Sequence, residues 1–221
     1  MPRASILNPN QSYTFRSYFE MTHEPDDILA EFGATLRPTK FDFSGFDIAE
    51  VMFPLSGPTS VKDFEQSVAR MKSDMDRRRP NVRLTSEAAR REILIAPIVL
   101  ALIDFTDAQL RIEYGVRVSD QLKGSLDYYL QSQHNCLVIE AKNADLERGF
   151  VQLAVELIAL DQWTDSDDPV LYGAVSTGDI WQFGRFHRAS KQVEQDLSLY
   201  RIPADLAALF QALLSILMGQ I

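Results

Sequence analysis

The chain has 221 residues, of which 46% are hydrophobic and 24% charged, an ordinary composition for a folded protein of one or two domains. This composition excludes disorder as the dominant state. Cys136 is the only cysteine, which excludes a disulfide scaffold and favours a reducing, cytoplasmic compartment. The longest apolar run, residues 93–103, has eleven residues with Pro97 among them, whereas a membrane span needs roughly 17–25. We therefore expect no membrane partner.

Charge is distributed unevenly along the chain. The net charge of −9 argues against non-specific coating of nucleic acid or of an anionic membrane. Residues 70–91, however, carry eight lysines and arginines against three acidic residues, a local charge of +5. Such a stretch is typical either of a solvated helix end and loop or of a phosphate-binding patch. Both interpretations stay open at this point.

The first quarter of the chain differs from the rest. Residues 1–58 contain six prolines and lack clean periodicity, which predicts an N-terminal extension with short strands near 34–43 and one or two short helices. Its aromatic residues indicate that it packs on a main domain formed by residues 59–221. The main domain is predicted to begin with a helix over 60–75, because Ser60 and Asp63 resemble a capping box.

The main domain then alternates between helices and strands. Thr85 or Ser86 is predicted to cap a second helix that runs to about residue 103. Period-two alternation predicts strands over 110–118, 125–131 and 136–142, and further signals predict a helix over 144–163, a hairpin of strands 170–175 and 180–186, and a helix from Pro203 to about 218. This order predicts an α/β fold with a mixed β-sheet flanked by helices.

Two charges leave the same face of the apolar strand 136–142. Alternation places Glu140 and Lys142 on the face opposite Ile139. If a tight turn joins this strand to the preceding one, Asp127 lies directly across from Glu140, where Cβ atoms are about 4.5–5.5 Å apart. Two carboxylates at that distance repel, so one pKa should rise or a cation should bind. The alternative is a simple surface salt bridge between Lys142 and one of the acids.

Two hard carboxylate ligands favour Mg²⁺ or Mn²⁺ as that cation. Lys142 would bring a positive charge to the same site, where it could contact an attacking water or the charge that builds on a phosphate. The pattern therefore predicts a metal-assisted hydrolytic site at the end of this strand.

Asp127, then twelve residues, then Glu140-Ala141-Lys142 resembles the motif of the PD-(D/E)XK nuclease superfamily, with Leu126 where that motif has Pro. The superfamily has a helix, a three-stranded meander that carries the motif, a second helix and a further strand, which is the order predicted above. The resemblance therefore implies a restriction-endonuclease-like core.

Both flanking helices extend the resemblance. The helix at 86–97 is similar to the first helix of the nuclease domain of type I restriction enzyme subunits, where a Glu often completes the metal site. Glu87 is the matching residue and Glu92 is the alternative. The helix after the motif resembles one in which a Gln points back to the site. Gln152 matches that Gln, whereas Glu156 stands where some branches have a Tyr.

The resemblance implies a divalent-metal-dependent nuclease that hydrolyses DNA phosphodiester bonds. It assigns Mg²⁺ or Mn²⁺ to Asp127, Glu140, the Ala141 carbonyl and Glu87, the nucleophilic water to Lys142, and water or backbone phosphate to Gln152. The basic stretch would then supply DNA contacts from Arg77, Arg78, Arg79, Arg90 and Arg91. The rival interpretation is a catalytically inactive binding or assembly module of the same fold, which could form a homodimer through its C-terminal helix.

Overall fold

In the computed structural model of the chain, residues 5–50 and 60–220 are described, and within them eight strands form one mixed sheet flanked by helices. The predicted α/β class and mixed sheet are therefore confirmed. The strands are β1 (Thr35–Thr39), β2 (Gln109–Arg117), β3 (Lys123–Gln131), β4 (Cys136–Ala141), β5 (Val170–Ser176), β6 (Ile180–His187), β7 (Gln192–Asp196) and β8 (Tyr200–Arg201). The α-helices are α1 (Phe15–Glu20), α2 (Pro25–Ala30), α3 (Val61–Arg78), α4 (Glu87–Arg90), α5 (Ala96–Phe105), α6 (Leu146–Trp163) and α7 (Leu206–Leu217).

The sheet has the order β1-β7-β6-β5-β4-β3-β2, and β8 pairs with β6 beside this path. Strands β2, β3 and β4 form the antiparallel meander that the sequence predicts. Strand β4 pairs with β5 in parallel, which requires a crossover, and α6 supplies it. The strand that carries Glu140 therefore lies between two neighbours in the interior of the sheet.

Each face of the sheet has its own hydrophobic core. All six residues of β4 are buried, and Leu137 and Ile139 point into the core beneath α3, α5 and α7. Val138 points into the other core, with α1, α2 and α6. The predicted alternation of this strand is confirmed. Of the helices in the described ranges, none is long and apolar enough to cross a bilayer.

Two helix starts lie where the capping residues predict them. The Ser60 side chain accepts the Asp63 N–H at 3.3 Å and begins α3, which continues to Arg78. The Ser86 side chain accepts the Ala89 N–H at 3.1 Å and begins α4.

The predicted helix over 86–103 is not continuous. A π-helical turn, Arg91–Ile95, separates α4 from α5, and within it the Ala96 N–H bonds to the Arg91 carbonyl five residues back. Pro97 is the physical reason, because it has no N–H to donate and its ring would collide with the preceding turn of a regular α-helix. The wider turn accommodates Pro97 and sets the direction of Arg91.

The C-terminal part of the chain differs from the prediction in two ways. Helix α7 begins at Leu206 rather than at Pro203, because the Asp205 carboxylate accepts the Arg201 N–H at 2.8 Å and holds the intervening residues in a turn. Strands β7 and β8 were not predicted at all. In β7 the buried positions include Glu194 and Asp196, so its sequence lacks an apolar pattern.

Most of the predicted N-terminal extension is described, but its boundary at residues 58 and 59 lies outside the described ranges. Strand β1 is an edge strand of the common sheet and pairs in parallel with β7. Helix α1 packs on α6, and Phe15 of α1 is 1% exposed. A Cβ on Gly124 of β3 would lie 2.5 Å from the Phe15 ring, so this glycine allows α1 its close approach.

Gly149 sets the spacing between α6 and the sheet. A Cβ at this position would lie 2.8 Å from Val175 Cγ2 and 2.9 Å from Lys142 Cγ. Almost the whole of α6 is buried, from Gly149 to Leu160, because the sheet lies on one side of the helix and α1 and α2 cover the other.

We expect Gly149→Ala to lower the melting temperature. In an open helix the change stabilises by roughly 1 kcal/mol, but here overpacking costs about 1–3 kcal/mol. The matched control is Gly115→Ala on β2, where nothing lies within 4 Å of the added Cβ. Thermal unfolding of both variants measures the difference, and a Gly149→Ala protein more stable than wild type would contradict the close packing.

Candidate active site

The structure brings the predicted side chains together around one cleft of about 320 Å³. The predicted residues that line it are Asp127, Glu140, Lys142, Glu87 and Gln152. Another wall comes from the start of α1, through Thr14, Phe15 and Arg16. Glu92, the alternative to Glu87, is exposed and does not line the cleft.

The β3–β4 register places the two acids at the end of a regular ladder. The ladder has the predicted pairing from Gln131↔Cys136 to Tyr128↔Ile139. Asp127 and Glu140 are the next residues along. There the ladder stops, and the Asp127 Oδ2 accepts the Ala141 N–H at 2.8 Å. A carboxylate thus occupies the place of a backbone partner at the end of β4.

Glu140 and Lys142 form an ion pair inside the protein. The two residues are 2% and 4% exposed, and Lys142 Nζ donates to Glu140 Oε1. Gln152 Nε2 donates to the same oxygen at 2.6 Å. The other oxygen, Glu140 Oε2, is buried and has no hydrogen-bond partner among the described residues. The predicted alternative of a salt bridge is therefore present in part, but it is a buried bridge rather than a surface one.

Arg91 is a second cation in the cluster. Its Nη1 donates to Asp127 Oδ1 at 3.0 Å and to Glu113 Oε1 at 2.6 Å, and its guanidinium lies 5.6 Å from the centre of the Tyr128 ring. The sequence prediction places Arg91 among the DNA contacts, whereas the structure pairs it with a site carboxylate. The π-helical turn carries it there.

The other predicted DNA contacts also have acidic partners. Arg77 and Arg78 pair with Asp74, and Arg79 and Arg90 pair with Asp179. The first three arginine side chains are 72%, 45% and 49% exposed, but those of Arg90 and Arg91 are only 20% and 18% exposed. Arg90 also donates to the Thr177 carbonyl at 2.9 Å. Three of the five therefore remain accessible to a ligand.

Glu156 belongs to the cluster, although sequence reasoning noted it only as a departure from a Tyr. It is fully buried, and its Oε1 accepts from Gln152 Nε2 at 2.8 Å. The Gln152 amide thus bridges Glu140 and Glu156, one on the strand and one on α6. Among residues 5–50 and 60–220, three buried polar atoms of this group lack a hydrogen-bond partner: Glu140 Oε2, Gln152 Oε1 and Glu156 Oε2. The sequence signal was the i, i+4 spacing of two polar residues in the otherwise apolar stretch 149–160 of α6.

The protonation of the cluster follows from its burial. Burial raises the pKa of Glu140, and the nearby Asp127 charge adds to the rise while Lys142 opposes it. Burial also raises the pKa of Glu156 well above its ordinary value, and the charge of Glu140 adds to that rise. Burial alone would lower the pKa of Lys142, but the charge of Glu140 raises it. Burial and the charge of Glu140 thus both favour the protonated form of Glu156.

Opposing effects act on the pKa of Asp127. Burial raises its pKa, while the Ala141 N–H and the Arg91 charge oppose the rise. The cluster therefore consists of two acid–cation pairs, Asp127 with Arg91 and Glu140 with Lys142, next to a third acid whose protonated form is favoured by burial.

No protein-family model matches the chain, and no curated protein or solved structure is significantly similar to it.

We expect Glu156→Gln to stabilise the protein more at pH 8.5 than at pH 5.5. The unfolded chain releases this proton above its ordinary pKa of 4.5, whereas the folded chain holds it, so wild-type stability falls as the pH rises toward the raised value. Gln cannot ionise and keeps the Oε1 acceptor. A gain of about 1 kcal/mol corresponds to roughly 2–4 °C in melting temperature.

Calorimetric unfolding at both pH values measures this difference. Glu147→Gln is the matched control, because Glu147 is exposed in the first turn of the same helix. An equal effect of both variants at the two pH values would show that Glu156 ionises normally.

Proposed function

We propose that this chain is a divalent-metal-dependent nuclease with a restriction-endonuclease-like core that hydrolyses phosphodiester bonds of DNA. The observation that carries the proposal is the convergence of Asp127, Glu140 and Lys142 at the end of one strand, in a cleft that opens to solvent. Burial of such charges costs several kcal/mol per ion unless they are well paired. A catalytic role would explain why the chain buries these charges. DNA is the substrate that the sequence resemblance implies.

The donor atoms suit Mg²⁺ or Mn²⁺. Within the described ranges, no three His, Cys, Asp or Glu side chains are grouped so as to hold a metal. Mg²⁺, however, often keeps several waters and takes only one or two carboxylates with the substrate phosphate. Asp127 and Glu140 supply two carboxylates, and the buried Glu140 Oε2 has no hydrogen-bond partner within the part of the chain that the structure describes.

Two further groups could complete the coordination. The Ala141 N–H points at Asp127, and the carbonyl of a strand residue points to the same side as its N–H. Glu87 lines the cleft from α4 and would bind through water. When bound, the ion would make the attacking water more acidic and neutralise the phosphate.

The remaining side chains bind and orient the reactants. Lys142 Nζ already donates to Glu140 and offers its other N–H groups to the cleft, where they would hold the attacking water or a phosphate oxygen. Gln152 fixes the Glu140 carboxylate through its amide. Arg16, whose side chain is 67% exposed on the α1 wall, supplies a positive charge at the entrance.

The alternative is a catalytically inactive binding module, and one observation favours it. Both acids already have cation partners, Arg91 and Lys142, so the cluster is balanced without a metal. A homodimer of such a module through α7 has less support, because nine of the twelve residues of α7 are buried within the chain.

We expect plasmid nicking with Mn²⁺ that is lost in EDTA and in both Lys142→Ala and Asp127→Asn. Loss of one electrostatic contact to the transition state typically lowers the rate about 10²–10³-fold. The lysine variant should still bind Mn²⁺, because both carboxylates remain, whereas Asp127→Asn should weaken metal binding itself.

Three controls separate catalysis from folding and from contamination. Lys142→Met keeps the packing of the aliphatic stem, and circular dichroism checks the fold of every variant. Lys62→Ala removes an exposed lysine of α3 and should cleave like wild type. Equal nicking by all proteins would indicate a contaminating nuclease. No nicking by the folded wild type, together with no Mn²⁺ binding by calorimetry, would favour the inactive module.

A further inference from the structure

A second concave site lies along the sheet from the cleft, at the C-terminal end of α6. We call it the aromatic groove, and it is lined by Arg111, Tyr114, Tyr129, Gln131, Trp163 and Asp165, with Leu160, Thr164 and Ser166. Its volume of about 430 Å³ exceeds that of the candidate cleft and falls within the roughly 300–1,000 Å³ of small-molecule sites. None of these residues takes part in the proposed phosphodiesterase chemistry.

The walls of the aromatic groove hold a guanidinium in place with aromatic rings. The Tyr114 and Tyr129 rings stack with centroids 5.2 Å apart and planes 15° from parallel. The Arg111 guanidinium lies 4.9 Å from the centre of the Tyr114 ring. Among the described residues Arg111 has no ion-pair partner, unlike Arg91, which pairs with Asp127 of the cleft. Its forked N–H donors therefore remain available to an anion.

Trp163 adds an accessible flat surface beside this cation. It is the last residue of α6 and is 42% exposed, although the helix before it is almost fully buried. Its indole Nε1 donates to the Tyr114 hydroxyl at 3.0 Å, which fixes the helix end against β2. The indole is thus rigidly placed, and a rigid, half-exposed Trp is typical of a recognition surface.

The side chains that line the aromatic groove determine which class of ligand fits it. A flat ring stacks on an indole, and a guanidinium binds a phosphate through two parallel hydrogen bonds. Gln131 and Asp165 line the rim, and an amide and a carboxylate can accept the N–H groups at the edge of a nucleobase. Asp165 also disfavours a dense polyanion such as the backbone of duplex DNA, because its charge opposes accumulation of phosphates.

We propose that the aromatic groove is a nucleotide-binding site, with the base on Trp163 and a phosphate on Arg111. The nucleotide comes either free from solution or as an unpaired residue of a nucleic-acid strand, and both sources present the same ring and phosphate. The second source would place the unpaired nucleotide near the cleft, because Asp127 and Gln131 are four residues apart on β3, roughly 13 Å.

The fluorescence of Trp163 measures ligand binding at the aromatic groove. The chain has two tryptophans, and the other, Trp181, is fully buried. In EDTA, where no metal-dependent cleavage occurs, we expect adenosine monophosphate or a ten-nucleotide oligothymidylate to quench the fluorescence of the full chain saturably. Ribose phosphate should not quench it, because it lacks the ring. Tight binding of the mononucleotide identifies free nucleotide as the source, whereas binding of the oligonucleotide alone identifies a strand.

Variants test the assignment. Arg111→Ala should raise the dissociation constant about tenfold, which is the effect of one lost charge-assisted hydrogen bond. The matched control is Arg117→Ala, which removes an exposed arginine at the other end of β2 and should change nothing. Trp163→Ala should abolish binding of whichever ligand quenches wild type, as measured by the fluorescence polarisation of a labelled form of that same ligand.

Nucleotide binding at the aromatic groove does not depend on the proposed nuclease activity of the cleft. Asp127→Asn should bind the nucleotide as wild type does, whether or not either protein cleaves DNA. Absence of quenching by every nucleotide in a folded wild type overturns the nucleotide site. Equal weakening by Arg111→Ala and Arg117→Ala also overturns it, because the effect would then be one of overall charge.

Discussion

The ion pair between Lys142 and Glu140 is the interaction around which the fold of this protein is arranged. Two opposite charges in the interior need close contact and further hydrogen bonds to offset their lost hydration. Gly149 lets α6 approach so that the lysine stem lies between helix and sheet, and Gln152 then reaches Glu140. On the outer side the Phe19 ring lies 5.2 Å from the lysine ammonium, so α1 completes the enclosure.

Pairing of opposite charges also determines how Asp127 is held in the cleft. Asp127 leaves the β-ladder to accept the Ala141 N–H, and it is neutralised by Arg91 from the π-helical turn that Pro97 requires. A helix irregularity and a strand irregularity thus meet at one carboxylate. A ligand that needs this carboxylate must compete with a guanidinium that has a second partner in Glu113.

Local signals predicted much of this arrangement from sequence. Ser60 and Ser86 identified helix starts because capping acts within one turn, and the meander register followed from strand alternation and a short turn. Strand β7 escaped prediction because two of its three buried positions, Glu194 and Asp196, are acidic. Glu194 is held by Arg185 at 2.7 Å, across the sheet. The pairing of Arg91 was missed because its partner Asp127 is distant in sequence, whereas Glu156 had a local signal in its i, i+4 spacing from Gln152.

Strand β1 has a consequence for how the chain can be divided. It pairs in parallel with β7 and covers what would otherwise be the open side of that strand. The N-terminal fifth of the chain therefore shields a row of backbone N–H and C=O groups that would otherwise seek partners in other molecules. A protein shortened to its main domain would keep every residue of the candidate cleft except Thr14, Phe15 and Arg16. It would, however, expose the unpaired backbone edge of β7, which is then free to pair with strands of other molecules. Such a protein would self-associate while keeping the side chains of the candidate cleft that lie on β3, β4, α4 and α6.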